Sequence, residues 1–193
     1  MKTALAVMIL AALPISAGAA ETVTGMRNGK PYFEATEKAS VQGNVIAIDK
    51  AKRMVTVVGA SGDTVDIECA AEVKNFAQVH VKDVVKLSYQ EKLTVTVEPA
   101  GSPDSTTELL TASAKPGEKP SASATERTEY KATIMAIDKP TATVTLKGHD
   151  GKTFDVTVRH PENLDKISVG ELAVFTYTQV VGVSVEKVGG KKK

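Results

Sequence analysis

The chain has no tryptophan, one cysteine and few aromatic residues, 4% of 193. A lone Cys69 excludes an intramolecular disulfide, so no covalent staple holds the fold. In "TVDIEC", Val65, Ile67 and Cys69 alternate onto one strand face, which predicts a small buried core residue and not a reactive thiol. There is no C-x-x-C, no H-E-x-x-H and no G-x-S-x-G, and no glycine-rich loop has P-loop spacing before a helix. Charge of neither sign dominates, with 24 Lys and Arg against 23 Asp and Glu. A balanced chain lacks the field of a polyanion-binding protein, so no nucleic-acid partner is expected.

Long hydrophobic runs are also missing after the first twenty residues. Those begin Met1-Lys2, continue through "TALAVMILAALPI" and end in "SAGAA". A basic head, a short apolar stretch and an A-x-A exit predict a secretory signal peptide over 1–19. Ala17 and Ala19 sit at the cleavage positions, with a cut one residue later as the alternative. The apolar run is too short for a good membrane span. No cysteine at the cut provides for a lipid anchor. A periplasmic (or secreted) protein without a transmembrane segment is therefore expected. Loss of Lys2 with the leader leaves 23 basic residues against 23 acidic ones. The tail "GGKKK", residues 189–193, reads as a solubilising basic end.

What is present is a phrase written twice. "VIAIDKAKRMVTV" at 45–57 returns as "IMAIDKPTATVTL" at 134–146. Laid on one another, 45–71 and 134–160 share Ala47, Ile48, Asp49, Lys50, Val55, Thr56, Gly59, Gly62, Thr64 and Asp66 with their counterparts. After a one-residue deletion, Asn75, Val81, Tyr89, Val95, Val97 and Glu98 match as well. Such self-similarity marks a duplicated unit, too long for a solenoid repeat. Each copy reads as three short strands rich in β-branched residues, separated by polar and glycine turns. A helical turn follows, and then two more strands.

That order predicts an all-β protein of two tandem five-stranded OB-like small barrels, with SH3-like barrels as the alternative. Barrel one is placed at 40–98 and barrel two at 129–188. Residues 20–39 read as a disordered lead in which Tyr32 and Phe33 form a short docking motif or cover the first barrel. Residues 99–128, dominated by Pro, Gly, Ser, Ala, Thr and charge, read as a disordered linker that lets the barrels move independently. The expected inward set in copy one is Val45, Val55, Val57, Val65, Ile67, Phe76, Val85, Leu87, Tyr89, Val95 and Val97. In copy two it is Ile134, Val144, Leu146, Phe154, Val156, Leu164, Phe175, Tyr177, Val183 and Val185.

The run "GNVIAIDKAKRMVTVVGASGD … VKDVVKLSYQEKLTVTVEP" resembles the small OB-like domains of exported bacterial proteins. It is similar in outline to the periplasmic copper chaperone of copper-efflux systems. The shared positions are the turns Ile48-Asp49 with Val81-Lys82-Asp83, and Ile137-Asp138 with Val169-Gly170-Glu171. The resemblance implies the fold. Those chaperones hold Cu(I) with a histidine, two methionines and a tryptophan, soft ligands that suit the ion. Here there is no tryptophan. Met26, Met54 and Met135 are not paired on a third strand, and His149 has Ala60 as its counterpart. The ligand set is therefore not carried over.

His80, His149 and His160 face Ser168, Ala60 and Ala71 in the other copy, so none recurs. Asp66 and Asp155 do recur, but strand alternation turns them outward with the solvated charges. No catalytic, cofactor-binding or metal residue and no cofactor is predicted. The expectation is a non-catalytic periplasmic tandem binding or adaptor protein for a protein or envelope component. The alternative is a periplasmic copper carrier or buffer.

Overall fold

The computed structural model describes residues 16–17, 20–69, 71 and 73–188. The tail 189–193 and most of the expected leader lie outside the described residues. The chain is all-β. Its strands are β1 (Ser16–Ala17), β2 (Glu21–Arg27), β3 (Lys30–Asp49), β4 (Met54–Val58), β5 (Thr64–Glu68) and β6 (Val84–Glu98). They continue with β7 (Asp104–Ser113), β8 (Ser121–Asp138), β9 (Thr143–Lys147), β10 (Thr153–Thr157) and β11 (Leu172–Glu186). Short 3-10 turns stand at Phe76–Gln78 and Pro161–Lys166.

All these strands form one antiparallel sheet in the order β10-β9-β8-β11-β6-β3-β4-β5, with β1 and β2 also on β3, and β7 also on β8. The sheet is open and does not close into barrels. This corrects the expectation of two separate tandem barrels. The cause lies in β6 and β11. The barrel reading needs each to be two strands folding back within one copy, but neither "YQEKL" nor "YTQVV" contains a turn former. The apolar alternation also stays in phase through them: Val85, Leu87 and Tyr89 before, Leu93, Val95 and Val97 after. A strand whose period-2 pattern is unbroken has no reason to turn. Each therefore runs straight for 15 residues from its own half into the other.

Local chemistry shapes the two halves alike. Asp49 ends β3 by accepting the amide N–H groups of Ala51 and Lys52 at 3.0 Å each, and Asp138 ends β8 by accepting that of Thr141 at 3.3 Å. Arg53 and Ala142, which are counterparts, both take φ 52 in the turn that follows. β3 and β8 carry register shifts at counterpart positions, between Val45 and Ala47 and between Ile134 and Ala136. Such one-residue bulges bend a strand, and the bulged residues Ile46 and Met135 are left exposed.

The correspondence between the two halves reaches beyond the stretches that match in sequence. Residues 99–128, expected as a disordered linker, contain β7 and the start of β8. Residues 20–39, expected as a disordered lead, contain β2 and much of β3. The hairpin β2–β3 repeats as β7–β8, and "KPYFEATEK" at 30–38 corresponds to "KPSASATER" at 119–127. Only a short stretch from Pro99 to Pro103 joins the halves outside strands.

Two cores sit at the ends of the long strands. Core one gathers Val45, Val55, Val57, Phe76 and Val79, with Ile48, Ile67, Cys69 and Val85 against it. Core two gathers Ala132, Ile134, Val144, Leu146, Leu164 and Ala173, with Ile137, Val156 and Phe175 against it. Each also takes one residue from the other copy: Val185 packs on core one and Val97 on core two. The halves thus exchange strand ends, and the expected independent motion is replaced by one shared sheet. In core one Gly43 is a steric necessity, because a Cβ there would lie 2.4 Å from Val57 Cγ1. Of the expected inward set, Phe154, Tyr177 and Val183 are instead exposed.

The exchange is sealed by reciprocal ion pairs. Lys30 of the first hairpin reaches Glu171 at 2.5 Å and donates to the carbonyl of Lys166 at 3.0 Å. Its counterpart Lys119 pairs with Asp83 and donates to the carbonyl of Gln78 at 2.6 Å.

Candidate functional site

A pseudo-two-fold axis crosses the middle of the sheet where Glu91 of β6 pairs with its own counterpart, Gln179 of β11. Directly opposed residues in antiparallel strands share a face. The register therefore places Glu37, Glu91, Gln179 and Glu126 in one row across β3, β6, β11 and β8. The next row on one side is Ala39, Tyr89, Val181 and Ala124. On the other side it is Ala35, Leu93, Tyr177 and Thr128. One row further lie Phe33, Val95, Phe175 and Tyr130.

This face is the one that becomes the two cores at the ends of the sheet. Between them, no element among the described residues packs over it. Tyr177 keeps 39% of its surface exposed, and Leu109, on the same face of the neighbouring β7, keeps 63%. No face position of the four central strands carries Lys, Arg or His. The basic residues Lys38, Lys86, Lys92, Arg127 and Lys131 all alternate to the opposite side.

The centre of the face is a polar node. Glu91 Oε1 accepts the hydroxyl of Tyr177 at 2.6 Å and that of Tyr89, while Gln179 Nε2 donates to the Tyr89 oxygen at 2.7 Å. The Tyr177 hydrogen bond, then that of Tyr89, holds the Glu91 carboxyl below the usual range. The same bond pushes the Tyr177 phenol above its ordinary value. A carboxyl depressed by folding stabilises the fold above its unfolded value, and that stability is lost as pH falls through the folded one. Replacing Tyr177 by Phe should therefore raise the Glu91 titration midpoint toward the ordinary carboxylate value. It should also move acid unfolding to higher pH. Carbon-detected carboxyl titration and CD against pH check both.

Residues singled out by the sequence are scattered. His80 lies beside Lys119, its Nδ1 3.1 Å from Nζ, and His160 beside Glu162 at 3.1 Å. His149 meets the Tyr130 ring edge-on with centroids 5.7 Å apart. Asp66 and Asp155 are exposed and accept Thr56 and Thr145 hydroxyls at 2.7 Å each, the same cross-strand bond made twice. Cys69 is half-buried beside core one, and burial pushes its thiol up, away from the reactive thiolate. Tyr32 and Phe33 fall on opposite faces. Tyr32 lies under the Arg27 guanidinium at 4.0 Å, and only Phe33 joins the apolar face. Met26, Met54 and Met135 stand on three different strands, and among the described residues no group of three His, Cys, Asp or Glu could hold a metal.

The Glu37–Glu91–Gln179–Glu126 row was missed by sequence reading. Its signal was there in the in-phase alternation of β6 and β11. These features define an all-β protein of two fused, strand-exchanging halves around a pseudo-dyad. Comparison with protein-family models, with curated proteins and with solved structures gives no match.

Proposed function

We propose that this chain is a non-catalytic exported binding or adaptor protein that holds an envelope macromolecule on the middle of its sheet. The observation that carries the reading is the uncovered apolar face between the cores. Apolar surface left uncovered on a folded protein, here divided only by the central glutamate row, marks a place where something docks. Aromatic side chains mark it: Phe33, Tyr89 and Tyr177 lie on it, and Tyr130 and Phe175 stand at its border with core two, together five of the eight Phe and Tyr residues in the chain. Aromatic enrichment is the compositional mark of an interface. The two halves share one open sheet and act as one body. Avidity from independent modules is accordingly not part of the mechanism, and the partner meets a single composite surface. No observation favours the copper-carrier alternative.

A photo-crosslinking residue placed at Val183, exposed on the apolar face, and separately at Lys86, exposed on the other, tests the reading. Full-length protein in envelope extract should yield a discrete adduct from the first and none from the second. Equal labelling from both sites, or none from either, overturns it.

A further inference from the structure

We infer that the occupant of this face is a cationic, apolar polypeptide segment. The inference rests on the docking reading above and adds the chemistry of the partner. The face is apolar on both sides of its centre, through Leu93 and Tyr177 on one side and Tyr89 and Val181 on the other. Across the centre run the carboxylates Glu37, Glu91 and Glu126, with Gln179 between the last two. Glu37 and Glu126 are exposed. Like charges directly opposite one another, as Glu37 and Glu91 are, weaken a strand pair. Every ion pair in the central strands, such as Lys92 with Glu34 at 2.8 Å and Lys131 with Glu98 at 2.8 Å, lies on the opposite face. The docking face thus presents negative charge that the protein itself does not neutralise there.

A second copy of the chain fits this surface badly. Face-to-face pairing about the dyad would bring three carboxylates against three, and like-charge juxtaposition costs several kcal/mol. The open patch is also small. Four strands at about 4.8 Å spacing, over nine residues of about 3.4 Å rise, give roughly 600 Å². That is less than the roughly 800 Å² per partner of a standard protein interface. It suits one amphipathic segment, whose Lys or Arg side chains meet the glutamate row while its aliphatic side chains lie on the flanking rows.

The test uses the full chain and two synthetic probes of equal length: an 18-residue amphipathic Lys/Leu peptide and its Glu/Leu counterpart. Calorimetry at low salt should show saturable binding of the first and none of the second, weakening as salt is added. Glu37→Gln with Glu126→Gln should weaken binding at least tenfold. Glu21→Gln with Glu108→Gln, which removes two exposed carboxylates from the opposite face, should leave it within twofold. All four positions are exposed, so folding is retained and CD confirms it. Equal binding of both peptides, no binding of either, or equal loss in the two double variants overturns the inference. If the Val183 adduct forms while the Lys/Leu peptide does not bind, the docking reading stands and the cationic partner falls. If both fail, both fall.

Discussion

Leu146→Ala should lower the stability of the whole chain by about 2–5 kcal/mol, the usual cost of a buried leucine truncation. Leu146 is among the most buried side chains, packed with Ile134, Val144 and Leu164. In a tandem of independent modules such a loss would melt the second half and leave the first untouched. Strand exchange forbids that outcome. Val97 of the first copy packs on core two, and the β6 strand that carries it continues to Val85 against core one. When core two opens, β6 and β11 lose half their packing and core one loses Val185. Urea unfolding of the variant should therefore show one transition, with far-UV CD and tyrosine fluorescence coincident and displaced to lower urea. Two separated transitions would sink the exchanged arrangement. Val185→Ala supplies a second reading. It should weaken core one, although the residue belongs to the second copy.

The strand content and most of both cores were legible in the residues. The buried set Val45, Val55, Val57 and Phe76, with Ile134, Val144, Leu146 and Leu164, follows from simple alternation and matched turns. Two things were hidden. The first was the hairpin in each copy that precedes the obvious repeat. Its second occurrence is built from Ala, Ser and Thr, which lie flat on an exposed sheet and give no hydrophobic period to read. Yet Lys30-Pro31 and Ala35-Thr36-Glu37 return as Lys119-Pro120 and Ala124-Thr125-Glu126. Composition argued for a linker, and pairing with the long strands β3 and β8 overrode it. The second was the continuity of β6 and β11. Alternation predicts one shared face for Val85, Leu87, Tyr89, Val95 and Val97, and they share it, but alternation fixes only the face and not what covers it. Coverage exists at the strand ends and stops in the middle. That is why the site lies on residues that local reasoning had assigned to cores.

The ion pairs that tie each hairpin to the opposite half should differ sharply in their contribution, and Lys119→Met should be the costly loss. The side chain of Asp83 is only 6% exposed and that of Lys119 19%, against 17% for Glu171 and 28% for Lys30. Removing one member of a buried pair strands the other charge, which costs about 3–5 kcal/mol when both are fully desolvated. Lys119 retains some water, so about 2–3 kcal/mol is the expected loss after screening. Lys30→Met, at the wetter site, should cost about 1 kcal/mol or less. The stranded Asp83 carboxylate would keep one strong partner, the amide N–H of His80 at 2.7 Å. Adding Asp83→Asn to Lys119→Met preserves an acceptor for that amide and removes the charge. The double variant should therefore recover most of the stability, although it lacks the ion pair altogether. Denaturant midpoints for the wild type, the two single variants and the double variant give the coupling energy directly. Should the double variant be as unstable as Lys119→Met, the cost lies in the lost lysine contacts to Gln78 and His80 and not in a stranded charge, and the electrostatic account of the seal fails.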